Sequence, residues 1–259
     1  MTTPDQRVAV IVPAKDEEDR IAATVRAARA IPHVDLVVVV DDGSVDGTKD
    51  AARTAGATVV RHSVNRGKAS AMQTGASVVA MRDEEGKPAR LLLFLDADLG
   101  DSAVESTPLI DPVLQGRVDC SIAALPPQEG AGGFGFVTGL AYKAIRRTTG
   151  WRPKQPISGQ RCLTREAFDA AQPLAKGWGV ETGMTIDLLV KGFTLQEVIC
   201  SINHRASGSD WAGQLHRAEQ YRGVWTAVQS RRFRGVRVPK DEIRGKSLDF
   251  EPYNAYRTV

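Results

Sequence analysis

The chain has 259 residues, enough to bury a full core as one α/β domain, and its 42% hydrophobic and 25% charged residues exclude only disordered and fibrous proteins. The net charge of +3, spread along most of the chain, makes no demand for a nucleic-acid partner. Cys120, Cys162 and Cys200 are odd in number, far apart and without a C-x-x-C pair, which predicts buried thiols in a reducing compartment. The N-terminus runs from Met1 through Pro4 straight into a strand, and no apolar run approaches the roughly 18 residues that span a bilayer. The expected location is the cytoplasm, with peripheral contact at the cytosolic membrane face left open.

In chain order, residues 8–12 form a continuous apolar strand, followed by an amphipathic helix over 17–30. A second buried strand at 36–40 leads to a helix at 46–55. A third strand at 58–60 leads to a helix at 68–81, and residues 91–95 are an entirely apolar fourth strand. Strands apolar on both faces and separated by helices predict a mostly parallel, doubly wound α/β sheet with helices on both faces. The second half is less regular. It predicts a strand at 118–124, a glycine-rich loop at 128–139, helices at 140–149, around Phe168 and at 181–190, a strand at 194–202 and an arginine-rich helix at 215–232. Residues 1–232 read as one domain, with a donor half at 7–99 and an acceptor half at 100–232. Residues 233–259 read as a polar tail or an arm onto a partner subunit.

Ligands of such sheets sit at the carboxyl ends of the strands. Three acidic loops fall there: Lys15 to Glu18 after the first strand, Asp41 to Ser44 after the second, and Asp96-Ala97-Asp98 after the fourth. Alternate carboxylates past a strand end can turn toward one point and hold Mg²⁺ or Mn²⁺ on hard oxygen ligands, although D-x-D also occurs in solvated turns. Asp42 can accept the N3–H of uracil or the N1–H and N2–H of guanine. Alternatively, this loop serves only to cap the next helix, which Ser44 or Asp46 could do unaided. Lys68 opens the third helix, where a cation beside a helix N-terminus meets phosphate or stays solvated. Glu17 and Glu181 are binding candidates or simple first-turn helix acids. His204 is a metal ligand or a structural histidine.

The segments V-P-A-K-D-E-E, V-D-D-G-S-V-D-G-T, N-R-G-K-A and F-L-D-A-D, in order and each at a strand end, resemble the donor half of glycosyltransferase family 2, the GT-A fold. The resemblance covers roughly residues 7–205, with Asp16 where the familiar form has Asn. It implies that Pro13, Ala14, Glu17 and Asp42 line the base and ribose, that Lys68 and Asp96 lie near the nucleotide sugar, and that Asp96 and Asp98 mark an Mn²⁺ or Mg²⁺ site. P-I-S-G-Q at 156–160, G-W-G-V-E-T-G at 177–183 and N-H-R at 203–205 are similar to the acceptor half of glucosyl-3-phosphoglycerate synthases and related polyprenyl-phosphate glycosyltransferases. That likeness adds His204 to the metal. It places Thr138, Ser158, Gly159, Gln160 and Arg205 around a phosphorylated acceptor, and Glu181 and Asp98 at the reacting centre. It also implies a homodimer. Phe136 stands where the phosphoglycerate enzymes carry an arginine, and Ala206 where they carry a polar contact. With Lys143, Arg146, Arg147 and Arg152 nearby, the pattern admits a lipid-linked phosphate as well as a small acid.

The expected activity is transfer of a sugar from a nucleotide-sugar donor, UDP-linked first and GDP-mannose second. The alternatives are a sugar-phosphate nucleotidyltransferase, whose triphosphate the acidic first loop would repel, and a catalytically degenerate nucleotide-sugar-binding protein.

Overall fold

A computed structural model describes residues 6–124, 135–202, 211–244 and 248–256, with side chains of 211–217 outside that description. The first half follows the expected order: β1 Val8–Ala14, α1 Glu18–Arg29, β2 Val34–Asp41, α2 Thr48–Thr54, β3 Thr58–Arg61, α3 Lys68–Ala80 and β4 Leu91–Phe94. A 3-10 helix at Gly100–Leu109 runs into α4 Ile110–Leu114, followed by β5 Cys120–Ala124 and α5 Phe136–Thr149. Then come β6 Arg161–Leu163, α6 Arg165–Ala170, a 3-10 turn Gly177–Gly179, α7 Val180–Val190, β7 Leu195–Ile199 and α8 Trp211–Phe233.

Among the described residues seven strands lie in the order β3-β2-β1-β4-β6-β5-β7. All neighbours are parallel except β6, which runs antiparallel to both β4 and β5. Period-two alternation explains why both faces need helices. Ala9, Ile11, Val38 and Val40 pack with Met72 and Val79 of α3 on one face. Val8, Val10, Val12, Val37 and Val39 pack with Ile21 and Val25 of α1 on the other. From β1 the chain winds outward through β2 and β3, and from β4 it continues on the opposite side. The crevice over the carboxyl ends of β1 and β4 is therefore the topological switch point.

Two expectations need correcting. The stretch from Phe136 to Gly139 was expected in the glycine-rich loop but forms the first turn of α5, with Gly135 preceding it at φ −54 and ψ 159. The expected polar tail is packed. Val238, Tyr253 and Ala255 are buried, and Tyr253 exchanges both backbone hydrogen bonds with Leu195 at 2.7 and 2.9 Å. The Tyr253 ring stacks on Trp151 at 6.2 Å, and its hydroxyl donates to the Thr149 carbonyl at 2.9 Å. Gly150 ends α5 at φ +82, and a Cβ there would stand 2.8 Å from the Tyr253 hydroxyl. A few aromatic anchors inside a polar segment suffice to order it, and its average polarity hides them.

All three cysteines are buried and free, as expected, and burial pushes the Cys120 and Cys200 thiols up to about 12. Among the described residues no helix is long and apolar enough to cross a membrane.

Tyr253→Ala is expected to lower unfolding free energy by roughly 3–5 kcal/mol, and Tyr253→Phe by about 1 kcal/mol. Urea titration of both variants checks this; a wild-type midpoint for Tyr253→Ala would show that the segment does not contribute to the core.

Candidate active site

The first acidic loop is largely spent on the second. The Asp16 amide donates to Ser44 Oγ at 3.0 Å, and Asp16 Oδ1 accepts from the Val45 amide at 2.9 Å. The Glu17 amide donates to Thr48 Oγ1 at 2.8 Å, while Glu18 Oε2 accepts from the Gly47 amide at 2.9 Å. Asp16 adopts φ 54, and its hydrogen bond with Lys15 holds its carboxyl below the usual range. Pro13 and Ala14 sit at the end of β1, where the Ala14 carbonyl accepts the Asp42 amide at 2.8 Å. Asp41 is fully buried and accepts the Ser44 amide at 2.9 Å, forming a tight turn. Gly43 adopts φ +75 there, and a Cβ would lie 2.8 Å from the Asn65 amide nitrogen. The turn can therefore approach residues 64–65 only as glycine.

Asp42 is buried and organises the next loop. Its Oδ1 meets His62 Nδ1 at 2.7 Å and accepts the Arg66 amide at 2.8 Å; its Oδ2 accepts the Gly67 amide at 2.7 Å. Gly67, at φ +86, then leads into α3.

Lys68, the first residue of α3, reaches across the crevice. Its Nζ lies 2.8 Å from Asp96 Oδ1 and 2.8 Å from Glu181 Oε1. Burial alone would pull this ammonium's pKa down, but the two carboxylates outweigh it and hold Lys68 above the ordinary lysine value. Gln160 Nε2 donates to Asp96 Oδ2 at 2.5 Å. Gly159 lies against the same group: a Cβ would fall 2.7 Å from Lys68 Nζ and 3.0 Å from both Asp96 oxygens. Glu181 is 7% exposed in the first turn of α7. Beneath the cluster Arg161, 1% exposed, donates to the Ser158 carbonyl at 2.7 Å and the Glu181 carbonyl at 3.5 Å. The Asp96–Asp98 turn is pinned from α1, where Arg20 donates to the Asp98 carbonyl at 2.9 Å and Thr24 to the Ala97 carbonyl at 2.8 Å.

The structure thus brings together Lys68, Asp96, Ser158, Gly159, Gln160 and Glu181, with Asp98 two residues along the same turn. Lys68 meets carboxylates here, one of them from the acceptor half. Thr138 stands half-buried in the first turn of α5, and nothing among the described residues ties it to this cluster. His204 and Arg205 lie outside the described residues. Sequence reasoning missed Arg20, Thr24, His62 and Arg161, which carry no motif and matter through what they hold.

Two carboxylates on one turn are hard oxygen donors of the kind Mg²⁺ and Mn²⁺ take, but no group of three or more His, Cys, Asp or Glu assembles among the described residues. Both Asp96 oxygens are shared with Lys68 and Gln160. The donor set therefore fits an ion that takes much of its sphere from water or a bound ligand.

A mostly parallel sheet with an open switch point is the architecture in which ligands bind at the carboxyl ends of the strands. Residues 9–171 match the glycosyl transferase family 2 profile, and the chain belongs to that family. Glycosyltransferase AglJ of Haloferax volcanii is 29% identical over 224 residues, 81% of this chain and 67% of the relative. A glucosyl-3-phosphoglycerate synthase of Mycolicibacterium paratuberculosis is 30% identical over 205 residues, 70% of this chain and 59% of the relative. The chain thus spans 59% to 67% of these relatives' length. The crystal structure of glucosyl-3-phosphoglycerate synthase from Mycobacterium tuberculosis, in complex with Mn²⁺, UDP and glucosyl-3-phosphoglycerate, superposes with a TM-score of 0.70 at 23% identity. It covers 98% of this chain and 88% of its own. The fold is GT-A.

Lys68→Met leaves two carboxylates facing each other in a partly desolvated cleft and is expected to cost about 1–3 kcal/mol. Lys68→Met combined with Glu181→Gln is expected to recover part of that loss. Denaturant melts of the single and double variants check the coupling; strictly additive losses would show that the three groups do not act as a unit.

Proposed function

We propose that this chain is a divalent-metal-dependent glycosyltransferase that moves a sugar from a UDP-linked donor to a phosphorylated acceptor, a polyprenyl phosphate or a small acid. The observation carrying the reading is the contact of Lys68 with Asp96 and Glu181 over Gly159. It joins the donor-side D-x-D turn to the acceptor-side helix at the switch point. The Mycobacterium tuberculosis synthase crystallised with Mn²⁺ and UDP, or with Mg²⁺ and UDP, supports UDP over GDP and either metal. Its complexes with phosphoglyceric acid and glycerol 3-phosphate support a phosphorylated acceptor.

Asp96 and Asp98, with His204 as a third candidate, would hold Mn²⁺ or Mg²⁺. A divalent ion there supplies charge neutralisation for a diphosphate. Pro13, Ala14, Glu17 and Asp42 border the base and ribose. Lys68 and Gln160 fix the Asp96 carboxylate on both oxygens, so that it faces the donor in one orientation. The acceptor enters over Ser158, Gly159 and Gln160, with Thr138 and Arg205 as further contacts. An acceptor oxygen forms the new bond to the anomeric carbon as the bond to the nucleoside diphosphate breaks, and the proton of a hydroxyl acceptor passes to the departing diphosphate. Glu181 shares one oxygen with the Lys68 ammonium and keeps further acceptor positions. That suits orientation of an acceptor hydroxyl, and with it retention.

A lipid-linked acceptor draws support from the surface. Tyr221 and Trp225, one helical turn apart on α8, are exposed, as is Phe233, beside exposed Arg222, Arg232 and Arg234. Lys143, Arg146 and Arg147 are exposed on α5. Aromatic rings among arginines suit an anionic interface. Cytoplasmic location with peripheral membrane contact, and a homodimer, belong to the same reading.

Thermal melts with UDP and Mn²⁺ are expected to show a stabilisation of about 2.7 kcal/mol at a hundredfold excess over Kd. The shift should vanish with EDTA or in Asp98→Ala; a cooperative melt unmoved by any nucleotide sinks the donor site. Co-sedimentation with vesicles containing phosphatidylglycerol is expected for wild type and reduced in Trp225→Ala. Absence of binding at low salt would return the acceptor to small acids.

A further inference from the structure

His62 follows β3 and is 6% exposed, with its backbone amide held by the Asp41 carbonyl at 2.9 Å. Both ring nitrogens are engaged, Nδ1 with Asp42 Oδ1 at 2.7 Å and Nε2 with Thr74 Oγ1 of α3 at 2.9 Å. A carboxylate only accepts, so Nδ1 carries the proton it donates, and the Thr74 hydroxyl can donate to Nε2. The line from α3 through Thr74 and His62 thus fixes the rotamer of Asp42 from behind.

Counting lone pairs shows what this leaves over. A carboxylate offers about four acceptor positions, two on each oxygen. Oδ1 of Asp42 is filled by His62 and the Arg66 amide, and Oδ2 takes the Gly67 amide. Among the described residues that leaves one acceptor position, on Oδ2. Guanine presents adjacent N1–H and N2–H donors that want both oxygens of a carboxylate, whereas uracil presents a single N3–H. Freed from His62, Asp42 would regain a position on Oδ1.

We propose that His62 is a specificity-determining positioning residue: by occupying and orienting Asp42 it leaves the donor site one acceptor, matched to a base with a single imide N–H. This rests on the nucleotide-sugar reading of the crevice and deepens it, since it selects the base from this chain's own geometry. The same clamp shapes the Arg66–Gly67 turn directly ahead of Lys68, so base recognition and the Lys68 contact share one support.

The test is calorimetric binding of UDP and GDP with Mn²⁺ to wild type, His62→Phe, His62→Asn and Thr74→Val. Wild type is expected to prefer UDP at least tenfold. His62→Phe should weaken UDP about tenfold and shrink that preference. His62→Asn, which keeps an N–H toward Asp42, should restore most of it. Thr74→Val should fall between wild type and His62→Phe, and it decides the matter if His62→Phe does not fold. A wild-type UDP/GDP ratio in folded His62→Phe, or in Thr74→Val when only that variant folds, overturns the role of His62. Wild type that binds neither nucleotide overturns the donor site itself, and the proposal with it.

Discussion

Lys68 reaches from the first turn of α3 into a gap between carboxylates that come from opposite halves of the chain, Asp96 after β4 and Glu181 in α7. A partly buried ammonium is stable there only because two anions offset its desolvation, and each carboxylate needs the cation for the same reason. The contact closes only over a glycine at 159, since a Cβ would intrude on the amine and on Asp96 together. The turn after β4, the loop before β6 and α7 are therefore joined by one charge cluster. Arg161 under Ser158 and Glu181, and Arg20 and Thr24 beside Asp98, hold the backbone that presents the cluster.

The acidic loops show the same economy from another side. Most of their carboxylates are consumed internally. Asp16 and Glu18 accept amides of the second loop, Asp41 closes its own turn, and Asp42 gathers two amides and a histidine. A crevice lined by so many acids would repel a diphosphate if all were free. Backbone donors offset part of that charge and leave few acceptor positions open.

The legible part of the fold was the part with strong periodicity. Buried runs at β1, β2 and β4, with amphipathic or small-residue helices between them, carry the parallel winding in their hydrophobic pattern, and the D-x-D turn follows from a strand end. β6 was not legible because three residues have no period, and its antiparallel direction follows from pairing with β4 and β5, not from composition. Lys68 was legible as a site residue but not its partner, since Glu181 lies 113 positions away and only tertiary structure brings them together. His62 and Arg161 belong to no motif that the sequence displays. Their importance is a matter of burial and of which oxygens they touch. The packed C-terminal segment was hidden by averaging: Tyr253 sits among polar neighbours and still fills the space beside Trp151.

Charge is unevenly divided along the chain. Residues 1–135 hold 14 Lys and Arg against 20 Asp and Glu, whereas residues 136–259 hold 20 against 11. The modest net charge thus conceals an acidic first part of the sequence and a basic second part, the latter including the C-terminal segment. An acidic crevice holds a polyanion only with a cation between them. A basic face needs no such intermediary to attract an anion, and its attraction acts at longer range. Lys68 stands where these two parts of the chain meet, its ammonium shared between an oxygen of the turn after β4 and one of α7.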